Sequence, residues 1–154
     1  MTTWLRLLVL SLLLSAGVAT PATEMSAPPI ARGETNKPFD DVILEADFAI
    51  TERNFRITGR NTIGKGLRER GYKDFPDVEV IHFCNLEYAR EVLEIDPGFV
   101  AQMPCRMTVH RERDKTVVNM VLLPENHADP RVLAFAQRMN GELRAILAYV
   151  LAKD

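Results

Sequence analysis

The sequence predicts an α+β layer fold, with helices packed against one sheet. Three observations lead there. Pro130 opens a long stretch in which Val132, Ala136, Met139, Leu143, Ile146 and Val150 recur at steps of four and three, the period of one helix face. Cys105 to Arg111 and Thr116 to Leu123 are strand-like runs joined by the charged turn Glu112-Arg113-Asp114-Lys115, which reads as an antiparallel hairpin. The elements follow the order β-α-β-α-β-α-β-β-α, so the strands can share one sheet and the helices one layer.

Taken in order, Ile30 to Glu34 is a short strand. Pro38 then opens a helix over about residues 38–53, with Phe39, Ile43, Ala46 and Ile50 on one face and Asp40, Asp41 and Glu45 near the start, where the helix dipole favours acids. Asn54 to Thr58 reads as a strand with Phe55 and Ile57 on one side. Asn61 is placed to cap a short helix that carries Ile63 and Leu67 and stops at Gly71. Gly64-Lys65-Gly66 inside it lacks the spacing of a phosphate loop.

Val78 to Cys84 is apolar on both sides, with Val78 and Val80 on one and Ile81 and Phe83 on the other, which suits an interior strand. Asn85 is placed to cap the next helix. That helix has Leu86, Ala89 and Leu93 on one face and ends at Asp96-Pro97-Gly98. Asp129 with Pro130 behind it is a strong start for the last helix, about 23 residues and roughly 34 Å long. Gly141 within it costs about 1 kcal/mol relative to alanine, which a packed face can absorb.

The domain so defined spans residues 30–154. Before it, Met1 to Arg6 is a short positively charged segment, and Leu7 to Ala19 is an apolar run of 13 residues, short for a bilayer span. Gly17-Val18-Ala19 presents small residues where a signal peptidase reads, so residues 1–19 are expected to be a signal peptide and residues 20–29 a linker. Export, in a bacterium to the periplasm, is the expected location, with membrane contact only during export. Removing residues 1–19 leaves 18 basic against 21 acidic side chains, a net charge of −3. That balance argues against nucleic acid as a partner, because such binding rests on neutralising phosphates. Arg53, Arg56, Arg60, Lys65, Arg68 and Arg70 form a local basic run that reads as a solvated face.

Two short motifs stand out. His82-Phe83-Cys84-Asn85 ends one strand and Pro104-Cys105-Arg106 opens another, with a helix closed by Asp96-Pro97-Gly98 between them. In this combination, over roughly Ile30 to Ala152, the chain resembles the bacterial and archaeal family known as domain of unknown function 302. The resemblance implies an antiparallel sheet with helices on one side, in the arrangement of the TATA-binding protein. It implies no DNA binding, since function lives in sites rather than folds, and it assigns no activity.

Cys84 and Cys105 are the two cysteines of the chain. Alternation puts His82 with Cys84 on one side of their strand and Cys105 with Met107 on one side of theirs. If both sides face the helices, His82, Cys84, Cys105 and Met107 converge, with Met103 nearby. Four readings stay open. The thiols are packed like small hydrophobes; they form a Cys84–Cys105 disulfide worth roughly 3 kcal/mol; with His82 they hold a soft metal such as copper, or haem; or Cys84, at a helix start, is a redox or nucleophilic thiol with His82 as its base. The resemblance weighs on the disulfide, since similar motifs occur in members without an export signal, where it would be reduced.

His110 and His127 are expected on the surface. No Ser-His-Asp order with a nucleophile elbow, His-Glu-x-x-His motif or glycine fingerprint is present. The expectation is therefore a module that binds a small molecule or a protein, without a cofactor, as a homo-oligomer. Its candidate ligand-binding residues are His82, Cys84, Asn85, Cys105 and Met107, in a cleft between the last helix and the sheet.

Overall fold

A computed structural model describes residues 28–152. The expected signal peptide, and all of the linker but its last two residues, lie outside the described residues. Within them the chain runs β1 (Ile30–Thr35), α1 (Phe39–Glu52), β2 (Arg56–Asn61), α2 (Ile63–Glu69), β3 (Val78–Cys84), α3 (Leu86–Ile95), a 3-10 helix (Pro97–Gln102), β4 (Cys105–Glu112), β5 (Lys115–Val121) and α4 (Pro130–Leu151).

The expected element order holds, and the differences have local causes. β2 starts two residues late because Asn54 turns the chain with φ 59°. Asn61 ends that strand instead of capping α2, whose first turn follows Thr62 with no side-chain cap. Asp96 does more than stop α3. It accepts a hydrogen bond from the Gly98 N–H at 2.8 Å and starts a 3-10 helix with Pro97 at its first position. Leu86 is 77 % exposed, so α3 buries a face centred on Val92 rather than one that begins at Leu86.

The five strands form one antiparallel sheet in the order β1-β5-β4-β3-β2. Phe83 pairs with Cys105, Ile81 and Met120 each pair with Met107, and Val109 pairs with Val118, so these side chains share one side. α1 and α4 cover that side: Ala46 and Ile50 from one, and Ala136, Leu143 and Ile146 from the other, are buried against it. On the opposite side Val78, Val80, His82 and Cys84 lie beside Arg106, Thr108 and His110, and these residues stay half-buried or exposed. At the β2 edge the register slips by one residue between Ile57 and Gly59.

Close approach explains two glycines. The Leu151 side chain of α4 occupies the place a Cβ on Gly33 would take, and the Pro76–Val78 backbone fills the place of one on Gly64. Gly64 is thus a packing residue of α2. The basic run is largely ion-paired: Arg53 with Glu142, Arg60 with both Asp47 and the buried Glu79, Arg68 with Asp77, and Lys65 with Glu69. Arg60 thereby ties α1 to the sheet.

Asn140, fully buried in the middle of α4, behaves as a one-residue strand. Its Oδ1 accepts from the Leu123 N–H at 2.8 Å, and its Nδ2 donates to the Leu123 carbonyl at 2.9 Å and to Glu125 at 2.6 Å. Replacing it by leucine leaves both Leu123 backbone groups buried without partners. We expect Asn140→Leu to lower stability by about 2–4 kcal/mol, read from urea unfolding. An unchanged midpoint would show that the loop satisfies itself.

Candidate functional site

The C-terminal end of β3 and the start of β4 open, beneath α3, the 3-10 helix and α4, into an apolar crevice. Its unfilled space is about 340 Å³, part of it continuous with solvent, and it is narrow enough to seat only about two waters at a time. Phe55, Tyr88, Phe99, Phe135 and Met139 form its walls, and Cys84, Met103 and Cys105 bring sulfur to it.

Aromatic contacts set those walls. Phe99 meets Phe135 edge to face with ring centres 5.7 Å apart, and Phe55 meets Phe83 in the same way at 5.4 Å. The Tyr88 ring lies 5.9 Å from Phe55. On the outside, Arg138 of α4 reaches both carboxylate oxygens of Glu91 on α3 at 2.6 and 2.7 Å, and its guanidinium lies 5.4 Å from the Phe135 ring centre.

Asn85 holds the crevice's polar corner. Its Oδ1 accepts from the Glu87 and Tyr88 N–H groups at 2.9 and 3.1 Å, the N-cap expected from sequence, while its Nδ2 donates to the Asn54 carbonyl at 3.0 Å. It therefore fixes α3 against the turn that carries Phe55.

The expected convergence of four side chains does not occur. Because Phe83 pairs with Cys105, the residue that shares a side with Cys105 is Phe83, and His82 and Cys84 belong to the other phase of β3. His82 sits on the side away from α1 and α4, its Nε2 2.9 Å from Asn61 Oδ1. Met107 is fully buried and packs in the core away from the crevice. Cys84, at the strand end, still borders the crevice, as do Asn85, Met103 and Cys105. Both thiols are free, so of the four readings the disulfide is not formed here: the pairing puts the two cysteines on opposite strand phases. No cluster of three histidine, cysteine or acidic side chains able to hold a metal occurs among the described residues.

Sequence reasoning missed the aromatic walls. Phe135 carried a signal, since it lies in the 132, 135, 136, 139 row of α4. Phe99 carried none, because its 3-10 helix was read only as the stop of α3.

Burial, and to a lesser degree Cys84, pushes the Cys105 thiol up to about 12 from an ordinary value of 9.0, and burial raises Cys84 as well. Both therefore hold their protons at neutral pH, the opposite of an activated nucleophile. For Cys105 the unfolded thiol ionises first, so its contribution to stability is complete below pH about 9 and declines as pH rises toward about 12. Cys105→Ala is expected to lose stability less steeply than the parent over that window in pH-dependent urea unfolding. Parallel curves would refute the burial of this thiol. Iodoacetamide at pH 8 is expected to alkylate Cys84 before Cys105, checked by peptide mass mapping.

The family described as Domain of unknown function DUF302 matches residues 32–150. A solved structure, described as that of an uncharacterized conserved protein DUF302 from Bacillus stearothermophilus, superimposes with a TM-score of 0.70 at 18% identity, covering 79% of this chain and 97% of that one. That likeness is one of fold. No curated protein matches the sequence.

Proposed function

Because the chain belongs to the DUF302 family, whose name assigns no activity, its role must come from its own site, and we propose that it is a binding module for a small, slender apolar ligand held in the crevice between α3, the 3-10 helix and α4. One observation carries this reading: the crevice opens to solvent between side chains that are mainly aromatic or sulfur-bearing, so a small apolar group entering it meets soft apolar walls. An apolar pocket with a few polar groups at its corner is the usual form of a small-molecule site. Asn85 and Gln102 are those groups here.

The raised thiols favour this over thiol catalysis, since neither cysteine is poised as a thiolate. With Cys84, Cys105, Met103 and Met139 around one crevice, a soft monovalent metal such as Cu(I) is the second reading. It uses the two methionines in place of His82, and binding must displace the thiol protons. We propose further that the module works after export, on the strength of the signal-like residues 1–19.

Xenon under pressure, small enough for this space and followed by amide chemical shifts, is expected to move resonances of α3, the 3-10 helix and α4. Ala89→Phe, which places a ring in the crevice, should abolish those shifts while the protein stays folded. Shifts that persist in the variant, or scatter over the molecule, would remove the crevice as the site. Copper(I) retained one-to-one against a chelator, and lost in Cys105→Ser, would put the metal reading first.

A further inference from the structure

β1 is a free edge of the sheet. It pairs with β5 from Ile30 to Thr35 without a break, and among the described residues no strand lies on its other side. The Leu122 N–H donates to the Pro29 carbonyl at 2.8 Å, which sets the phase of that pairing. Backbone groups alternate in direction along a strand. Those of Ala31, Gly33 and Thr35 therefore face β5, and those of Ile30, Arg32 and Glu34 face outward.

The side chains on this edge have an order of their own. Arg32 and Glu34 are both exposed on the side of the sheet away from α1 and α4, one residue to either side of Gly33. Arg32 makes an open ion pair with Glu112 at 3.0 Å, whereas Glu34 has no ion-pair partner among the described residues. Turned end for end about Gly33, the strand sets each of these charges against its opposite. It is its own complement.

We infer that β1 is the contact for a second copy of this chain, the two strands running antiparallel about a two-fold axis at Gly33, so that the two five-stranded sheets continue as one. Unpaired N–H and C=O groups on an edge are a template for such addition. Registers that set outward-facing groups against each other near the strand centre differ in charge. Arg32 opposite Arg32 of the second copy, or Glu34 opposite its Glu34, brings like charges together, which is unfavourable. With Gly33 opposite Gly33, each Arg32 stands opposite a Glu34 of the other copy. The two residues then exchange both N–H···O bonds and form a cross-strand ion pair, once on each side of the axis. Gly33 takes the closely spaced, non-hydrogen-bonded position on the axis, where it brings no side chain between the strands. A two-fold contact uses both β1 edges and so closes at a dimer.

Sedimentation velocity of the purified chain at pH 7 tests this. One short strand pair is a small interface, so half of the protein is expected to be dimeric at about 50 µM. Glu34→Arg and Arg32→Glu each set like charges against one another and should weaken the dimer at least about tenfold. The double variant Arg32→Glu/Glu34→Arg restores opposite charges and should return to within about threefold of the parent. An equimolar mixture of the two single variants should likewise associate, because each supplies the charge that the other lacks. Amide exchange at Arg32 and Glu34 of the parent, resolved by NMR, should slow as concentration rises. That last readout stands even if a variant does not fold. A parent that stays monomeric up to about 1 mM, a dimer indifferent to both reversals, or amide exchange that ignores concentration would overturn the contact. Loss in the single variants without recovery in the double variant or the mixture would overturn the register.

Discussion

The pairing of Phe83 with Cys105 is the constraint on which the rest of this structure depends. Side chains alternate along a strand, so one registration decides for the whole sheet which residues meet the helices and which stay outside. Here it sends Glu79, Ile81 and Phe83 inward with Cys105, Met107 and Val109. A slip of one residue would bury His82 and expose Phe83. The large apolar side chains of α1 and α4, packed on one side only, make that slip costly.

The same constraint explains how much could be seen in the sequence. Element order was legible because the signals are local: proline and aspartate at helix starts, and the period of three and four along α4. The Asn85 cap was legible for the same reason. What could not be seen was the phase of β3. Val78 and Val80 are as apolar as Ile81 and Phe83, so the strand does not itself say which side is buried. Placing His82 with Cys105 needed the partner strand's register, which is a property of the assembled sheet. The walls of the crevice come from four separated segments, around Phe55, Tyr88, Phe99 and Phe135, and their meeting is likewise tertiary.

The thiols illustrate how burial decides chemistry. A cysteine ahead of a helix start invites the idea of an activated nucleophile, because helix dipoles favour anions there. At Cys84 the bond to the Asn85 backbone does lower the thiol, but desolvation outweighs it. Cys105 lies deeper and is affected more. In this crevice sulfur serves as a soft, polarisable wall, as the methionines do.

The register slip at the rim of β2 has a consequence for self-association. An edge strand is a template for a neighbouring chain only if its free backbone groups lie in a straight, regular row. Between Ile57 and Gly59 that row is interrupted, and Arg56 and Arg60 bring charge to the strand on either side of the break. Sheets of two copies therefore cannot continue smoothly through β2. If copies of this chain assemble by extending the sheet, the geometry leaves the job to the opposite edge, β1, whose register is unbroken.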